Sequence, residues 1–172
     1  LALNLQISRS SIDNPIYTRR GSQFTLGLKI TPPYSLIKGT TDAQYAQMTN
    51  SEKYNLLEYH KWRFSGKVFT PLSADSKLVL MARAEFGYLG HYNKNAKSPF
   101  ESFYMGGDGM SSYSSYSTEY VAMRGYQSGS LTPYDPATGR NMGYVYNKFT
   151  MELRYPIALE QNATIWALAF VE

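Results

Sequence analysis

Apolar and polar side chains alternate with a period of two residues in five separate segments of this chain, each of about ten residues, and a sixth segment, Ile165 through Val171, is apolar on both faces. In the first segment, every second residue from Leu1 to Ile7 is aliphatic. This period places successive side chains on opposite faces of an extended backbone, so each alternating segment is predicted to be a β-strand with one apolar face, and the sixth segment is predicted to be a strand as well. The predicted strands are 1–9, 23–31, 59–71, 78–90, 144–157 and 163–172. We expect them to pair antiparallel, in sequence order, within one sheet.

The connections between these strands are alternately short and long. Short turns, marked by Pro, Gly and Asn, are predicted at 14–22, 72–77 and 158–162. Long polar loops are predicted at 32–58 and 91–142, and Ser51–Glu58 within the first loop has the composition of a short helix. This asymmetry is typical of up-and-down barrels in bacterial outer membranes, whereas a loop of about 50 residues is unusual in a compact soluble domain.

The composition fits such a barrel, but taken alone it also fits a soluble all-β domain. Tyrosine is abundant, at 16 residues, and charged residues make up 17 %, below the roughly 25 % of soluble domains. No segment approaches the ~20 consecutive apolar residues of a membrane-spanning helix, which excludes a helical membrane protein. The absence of cysteine excludes a disulfide framework. The net charge of +4 is dispersed, so nucleic acid is not an expected partner.

The two faces of the predicted strands differ as a membrane barrel requires. The polar faces carry charges that would line a wet lumen while the apolar faces meet lipid. These charged residues are Lys61, Arg63, Lys67, Arg83, Glu85, Lys148, Glu152 and Arg154. Aromatic residues near the strand ends suit the membrane–water boundary, namely Tyr59, Trp62, Tyr88, Tyr92, Tyr144 and Tyr155. The sequence therefore predicts an all-β fold, a transmembrane antiparallel up-and-down β-barrel. Both ends of the chain lie within strand patterns, so we expect a piece of a longer protein.

Four features of the sequence resemble, in order, the motifs of the Omp85 family of outer-membrane barrels. Asn14–Ser22 is similar to the family's P-x-x-G-S periplasmic turn. Pro99–Gly107 (PFESFYMGG) leads to Met123–Tyr126 (MRGY), as a PFE-x-FY-x-GG stretch leads to a (V/L/M)-R-G-(F/Y) tetrapeptide in the family's sixth extracellular loop. Met151–Pro156 (MELRYP) and Phe170–Glu172 (FVE) are similar to motifs of the two strands that follow. The chain departs from the pattern at Glu172, where the family usually has Asp, and in a longer insert before Met123.

The resemblance implies a barrel of about sixteen strands, of which this chain would supply about strands eight to thirteen. The long loops at 32–58 and 91–142 would be extracellular, and the second would be the sixth loop, which tucks back into the lumen. The POTRA domains and the first and last strands of the barrel would be absent from residues 1–172. Gly106 and Gly107 are interpreted as a place where two backbone segments cross.

The resemblance also implies a latch between the tip of the sixth loop and the barrel wall. Arg124 would pair with the lumen-facing carboxylates of Glu152 and Glu172 in a bidentate geometry. Gly125 would allow a tight turn beside Arg124, and Tyr126 would pack into the lumen, where Phe170 shares the face of Glu172. Without a cation the two carboxylates would repel each other, and Arg124 would remove that repulsion. The alternative is that Arg124 lies on a mobile external loop.

By this resemblance, the protein assembles and inserts other β-barrel proteins in the bacterial outer membrane. Its partners would be the lipid bilayer, client outer-membrane barrel proteins and accessory lipoproteins. No cofactor, metal or catalytic residue is expected, since His60 and His91 have no third ligand at metal spacing and no Ser, His and Asp form a nucleophile motif. The alternatives are another assembly factor or a two-partner-secretion exporter of the same family and, from another class, a passive porin or receptor barrel.

Overall fold

The computed structural model of the chain describes residues 1–49, 52, 57–93, 98, 100–110, 118–136, 139–160 and 162–172. Its main element is a six-stranded sheet, and two smaller sheets have two strands each. In chain order the strands are β1 Leu3–Ser10, β2 Gly21–Ile30, β3 His60–Pro71, β4 Val79–Gly90, β5 Phe103–Met105, β6 Glu119–Val121, β7 Tyr134–Asp135, β8 Arg140–Asn141, β9 Val145–Leu159 and β10 Thr164–Val171.

The six predicted strands and their order in the sheet are confirmed. Neighbours in the sheet follow the order β1-β2-β3-β4-β9-β10. Strands β9 and β10 are antiparallel, with Phe170 opposite Glu152 and Leu168 opposite Arg154. Residues that face each other across a pair have side chains on the same face of the sheet. The predicted shared face of Glu152, Phe170 and Glu172 is therefore confirmed for the strands that carry them.

Burial along the strands is the reverse of that in a soluble protein. In β9, Lys148, Thr150 and Glu152 are buried at 6 %, 1 % and 7 % exposure, whereas Phe149 and Met151 are 69 % and 53 % exposed. A soluble sheet would place the apolar side chains inside and the charged ones outside. This pattern is typical of a transmembrane barrel, in which the polar face lines the lumen and the apolar face meets lipid.

The predicted ring of boundary aromatics is contradicted at two of its six residues and stays a prediction at the others. Trp62, Tyr88 and Tyr155 are 39 %, 40 % and 50 % exposed, as side chains at a membrane boundary should be. The prediction is wrong for Tyr59, which is 4 % exposed in an apolar cluster, and for Tyr144, which packs against that cluster. The six aromatics were chosen because they lie near strand ends. That criterion does not show whether a side chain lies on the polar face or on the apolar face of the sheet.

The long loops contain regular structure that the alternation did not predict. Helices α1 Tyr34–Lys38 and α2 Asp42–Gln47 lie in the first loop, and none of the described helices is long and apolar enough to cross a membrane. Helix α1 follows a proline and ends at Gly39, whose left-handed φ of 65° stops it. The predicted helix at Ser51–Glu58 falls mostly outside the described residues.

Two compact units are distinguished by their contacts, and the first contains both long loops. It comprises Leu1–Leu5, Gly27–Trp62 and Gly87–Tyr146. Its buried apolar cluster consists of Tyr59, Leu89, Phe103 and Val121. Because Phe103 and Val121 belong to the second long loop, that loop is packed against its own unit through β5 and β6.

The second unit contains the short turns. It comprises Gln6–Leu26, Arg63–Phe86 and Asn147–Glu172. Its buried apolar cluster consists of Tyr17, Phe69, Val79 and Met81, against which Ile12 and Trp166 pack. Tyr17, from the turn between β1 and β2, also donates a hydrogen bond from its hydroxyl to the main-chain oxygen of Lys77 (3.0 Å). This turn is therefore folded onto its unit.

Candidate functional site: the second long loop and the polar face

The Met123–Tyr126 motif is held by main-chain hydrogen bonds to the double glycine that precedes it. The Met123 amide donates to the Gly107 carbonyl at 2.8 Å, and the Gly107 amide donates to the Tyr126 carbonyl at 3.0 Å. Strands β5 and β6 lead into this bridge as a parallel pair, with Met105 opposite Val121. The position of the Arg124 turn therefore depends on backbone pairing.

Gly106 and Gly107 lie at a backbone crossing, as predicted. Their φ angles are 122° and 85°, a region that L-residues rarely adopt. A Cβ at Gly106 would overlap the main-chain oxygen of Gln127, and one at Gly107 would lie 3.2 Å from the Cα of Ser128. The absence of a side chain is what allows the two segments to approach each other.

Gly125 has a φ of 86°, which gives the tight turn predicted beside Arg124. Tyr126 is 48 % exposed and lines a cleft of about 290 Å³ together with Gly106, Gly107 and Tyr120. The glycine of the motif thus sets the turn geometry.

Four charged side chains of the first unit form what we call the loop-root cluster, made of Lys29, Lys61, Glu101 and Glu119. The Nζ of Lys61 lies 2.8 Å from Oε2 of Glu119 and 3.4 Å from Oε2 of Glu101. It also donates to the main-chain oxygen of Glu101 at 2.8 Å. The Nζ of Lys29 lies 2.5 Å from Oε1 of Glu101. The two cations belong to β2 and β3, and the two anions belong to the long loop.

Glu101 is constrained in both backbone and side chain. Its φ of 68° lies in the left-handed region, which is uncommon for a residue other than glycine. Burial raises the pKa of its carboxyl, but the hydrogen bond from Lys29 and the charge of Lys61 outweigh burial and hold the pKa below its ordinary value. Glu101 is therefore an anion fixed between two lysines.

A second group of charges, the wall cluster, lies on the polar face of the second unit. Nη2 and Nε of Arg154 donate to Oε2 of Glu152 at 2.6 and 2.9 Å. The Nζ of Lys148 lies 3.4 Å from Oε1 of Glu172, and Nη2 of Arg83 lies 3.9 Å from the same oxygen. Neighbouring strand residues thus supply cations to both carboxylates, and a further counter-charge from Arg124 stays a prediction.

Comparison with known proteins identifies the family. A model of the Omp85 superfamily domain matches residues 1–172, the whole sequence. The chain belongs to the Omp85 superfamily. Its fold is similar to that of the crystal structure of BamA from Haemophilus ducreyi lacking POTRA domains 1–3, with a TM-score of 0.62 and 16 % sequence identity. The match covers 94 % of this chain and 26 % of that one, so residues 1–172 span about a quarter of it. No curated protein matches the chain by sequence.

The Omp85 resemblance predicted from the motifs is thus confirmed. The predicted latch residues are Arg124, Gly125 and Tyr126 in the first unit and Glu152, Phe170 and Glu172 in the second. Arg124 is half-buried, and the side chains of Glu152 and Glu172 are only 8 % and 3 % exposed. The pairing of Arg124 with either carboxylate stays a prediction.

Reasoning from the sequence missed the loop-root cluster. Lys61 was assigned to the polar face, but its partners Glu101 and Glu119 lie in a region without a strand pattern. The available signal was Glu101 itself, which is the acidic residue of the Omp85-like PFESFYMGG stretch. Among the described residues, no group of three or more His, Asp or Glu side chains could hold a metal ion.

Proposed function

We propose that the full-length protein assembles β-barrel proteins and inserts them into the bacterial outer membrane, as a BamA-like insertase. The match of the Omp85 family model to the whole of residues 1–172 carries this proposal. The similarity of the fold to BamA supports it, as does the reversed burial in β9, which suits lipid on one face and a wet lumen on the other.

In this proposal residues 1–172 supply about strands eight to thirteen of a barrel of about sixteen, and the POTRA domains and the terminal strands lie elsewhere in the full-length protein. Incoming strands would pair with an open edge at the seam between the first and last strands. A bilayer thinned beside that seam would lower the cost of insertion. The mechanism needs no catalytic residue or cofactor. Its partners are the bilayer, client barrel proteins and accessory lipoproteins.

The latch is proposed as the contribution of these residues to the mechanism. The left-handed Gly125 and the main-chain bridge to Gly107 support a preformed turn that presents Arg124. The burial of the Glu152 and Glu172 side chains supports a carboxylate pair on the wall as its target. Glu152 and Glu172 already have counter-charges from the strands. Arg124 would therefore add a bidentate contact to carboxylates that are already paired.

Depletion of the full-length protein is expected to lower the amounts of many outer-membrane barrel proteins, because each would lose its route of insertion. The measurement is quantitative proteomics of isolated outer membranes, with the wild-type gene restored as the control. A secretion defect confined to one exported protein would indicate a two-partner-secretion exporter. Ion conductance with unchanged barrel-protein levels would indicate a porin, and dependence of only a few clients would indicate a TamA-like assembly factor.

Arg124→Ala is expected to loosen the tip of the loop and to lower the levels of client barrels. The loss of charged hydrogen bonds should cost about 1.5–3 kcal/mol, near the lower end because Glu152 and Glu172 keep other cations. Arg124→Lys should restore function only in part, because an ammonium group cannot make the forked contact. Protease protection of the loop and client levels are measured together. If Arg124→Ala changes neither of them, the latch is not required.

A further inference from the structure

Lys61 is the most deeply buried charged side chain of the loop-root cluster, and its partners come from the long loop. Its side chain is 1 % exposed. A lysine ammonium so far from water is costly unless opposite charges and hydrogen-bond acceptors surround it. It meets the carboxylates of Glu101 and Glu119, the main-chain oxygen of Glu101, and the ring face of Phe103, whose centroid lies 4.7 Å from Nζ.

The charges of the cluster are divided between sheet and loop. Lys29 and Lys61 supply two positive charges from the sheet, and Glu101 and Glu119 supply two negative charges from the loop. The attraction therefore acts across the junction between loop and sheet, where it can hold the loop in place. In addition, the Glu119 amide donates to the main-chain oxygen of Ser102 at 2.9 Å, which ties the two acidic segments to each other.

The backbone of Glu101 is shaped to meet Lys61. Its left-handed φ of 68° allows the main-chain oxygen and the carboxylate of the same residue to reach one ammonium group. A conformation of this kind persists only when surrounding contacts enforce it. A single point charge with several donors, as in lysine, fits acceptors that converge from different directions.

We propose that Lys61 is the positioning residue for the root of the second long loop, and that the loop-root cluster holds residues 101–105 and 119–121 on the polar face independently of the Arg124 latch. The loop would then have two separate attachments, one at its root and one at its tip. This inference does not rest on the insertase activity proposed above, and its test does not measure that activity.

Ser102 offers a reporter for opening of the loop root. It is completely buried, and its hydroxyl has no hydrogen-bond partner among the described residues. Ser102→Cys therefore replaces a hidden hydroxyl with a thiol of similar size, and the chain contains no other cysteine. In full-length protein folded in detergent micelles, the rate at which a maleimide modifies this thiol measures how often the root opens. The parent without Ser102→Cys gives the background rate.

Lys61→Met is expected to increase the modification rate roughly tenfold or more, because Glu101 and Glu119 lose their shared cation while the side-chain volume is kept. Glu119→Gln, a milder change at a partly exposed partner, should increase it by a smaller factor. Lys61→Glu should open the root further, and the exchanged pair Lys61→Glu with Glu119→Lys should recover most of the protection, because the balance of two positive and two negative charges returns. Lys67→Met is the matched control, since Lys67 lies on the same face of β3 and takes part in none of the three ion pairs of the cluster.

The outcomes distinguish a root held by Lys61 from a root that the cluster does not hold and from a root held only through the loop tip. The proposal would be overturned if the Ser102→Cys thiol stayed protected from maleimide in both Lys61→Met and Glu119→Gln. It would also be overturned if the thiol were no better protected in the exchanged pair than in Lys61→Glu alone. If Arg124→Ala exposes the Ser102→Cys thiol as much as Lys61→Met does, the attachment at the loop tip also holds the root. The two attachments are then not independent. Heat-modifiable gel mobility shows in each sample that the barrel is folded. If Lys61→Met does not fold, the milder Glu119→Gln decides.

Discussion

Gly106→Ala is expected to disrupt the second long loop while the six-stranded sheet stays folded. The φ of 122° at Gly106 should cost an alanine about 1–3 kcal/mol. Its Cβ would also overlap the main-chain oxygen of Gln127, and forcing an extra carbon into a packed contact costs about 1–3 kcal/mol more. The obstructing atom belongs to the backbone, so it cannot rotate away as a side chain could. The crossing beneath the Arg124 turn should therefore open.

Gly125→Ala is the matched control for this prediction. Gly125 also has a left-handed φ, of 86°, but no atom of the described residues lies within 4 Å of the position that its Cβ would take. Only the conformational cost should apply there. Hydrogen exchange of the Gly107 and Met123 amides, measured on full-length protein in detergent, should accelerate more in Gly106→Ala than in Gly125→Ala. Equal acceleration in the two variants would show that the backbone overlap has no part in the effect.

Leu26→Arg is expected to strongly reduce the amount of folded barrel in the membrane. Leu26 lies near the middle of β2 on the apolar face and is 42 % exposed. An arginine that faces lipid near the bilayer midplane destabilises a barrel by about 2–4 kcal/mol. The folded fraction is measured by heat-modifiable gel mobility after refolding into lipid vesicles, across a denaturant series.

Thr25→Arg provides the comparison, because Thr25 is the adjacent residue and its side chain lies on the opposite, polar face of the same strand. An arginine there would enter a wet lumen that already contains charged side chains, so a small effect is expected. If Thr25→Arg were as damaging as Leu26→Arg, the assignment of the two faces of β2 would be wrong. If both were tolerated, the apolar face would not be in contact with lipid.

The backbone crossing at the double glycine could be predicted from the sequence, whereas the ion pairs of the wall cluster could not. The double glycine of PFESFYMGG was recognised as a crossing point because only glycine tolerates both a positive φ and a close backbone neighbour, and the structure confirms it at Gly106. The wall cluster shows where such reasoning fails. Glu152 and Glu172 were placed on the correct face, yet Arg154 and Lys148, which pair with them, were not recognised as their counter-charges.

The sequence alone determined the six strands, their order and the identity of the two faces. A period of two residues is a property of the extended backbone itself, so it can be read from neighbours along the chain without knowledge of the fold. Only the tertiary structure decided the course of the long loops, the burial of Tyr59 and the partners of Lys61. The contact between Lys61 and Glu101 joins residues 40 positions apart. Charge attraction depends on distance in space, and that distance is set only when the loop has folded against the sheet.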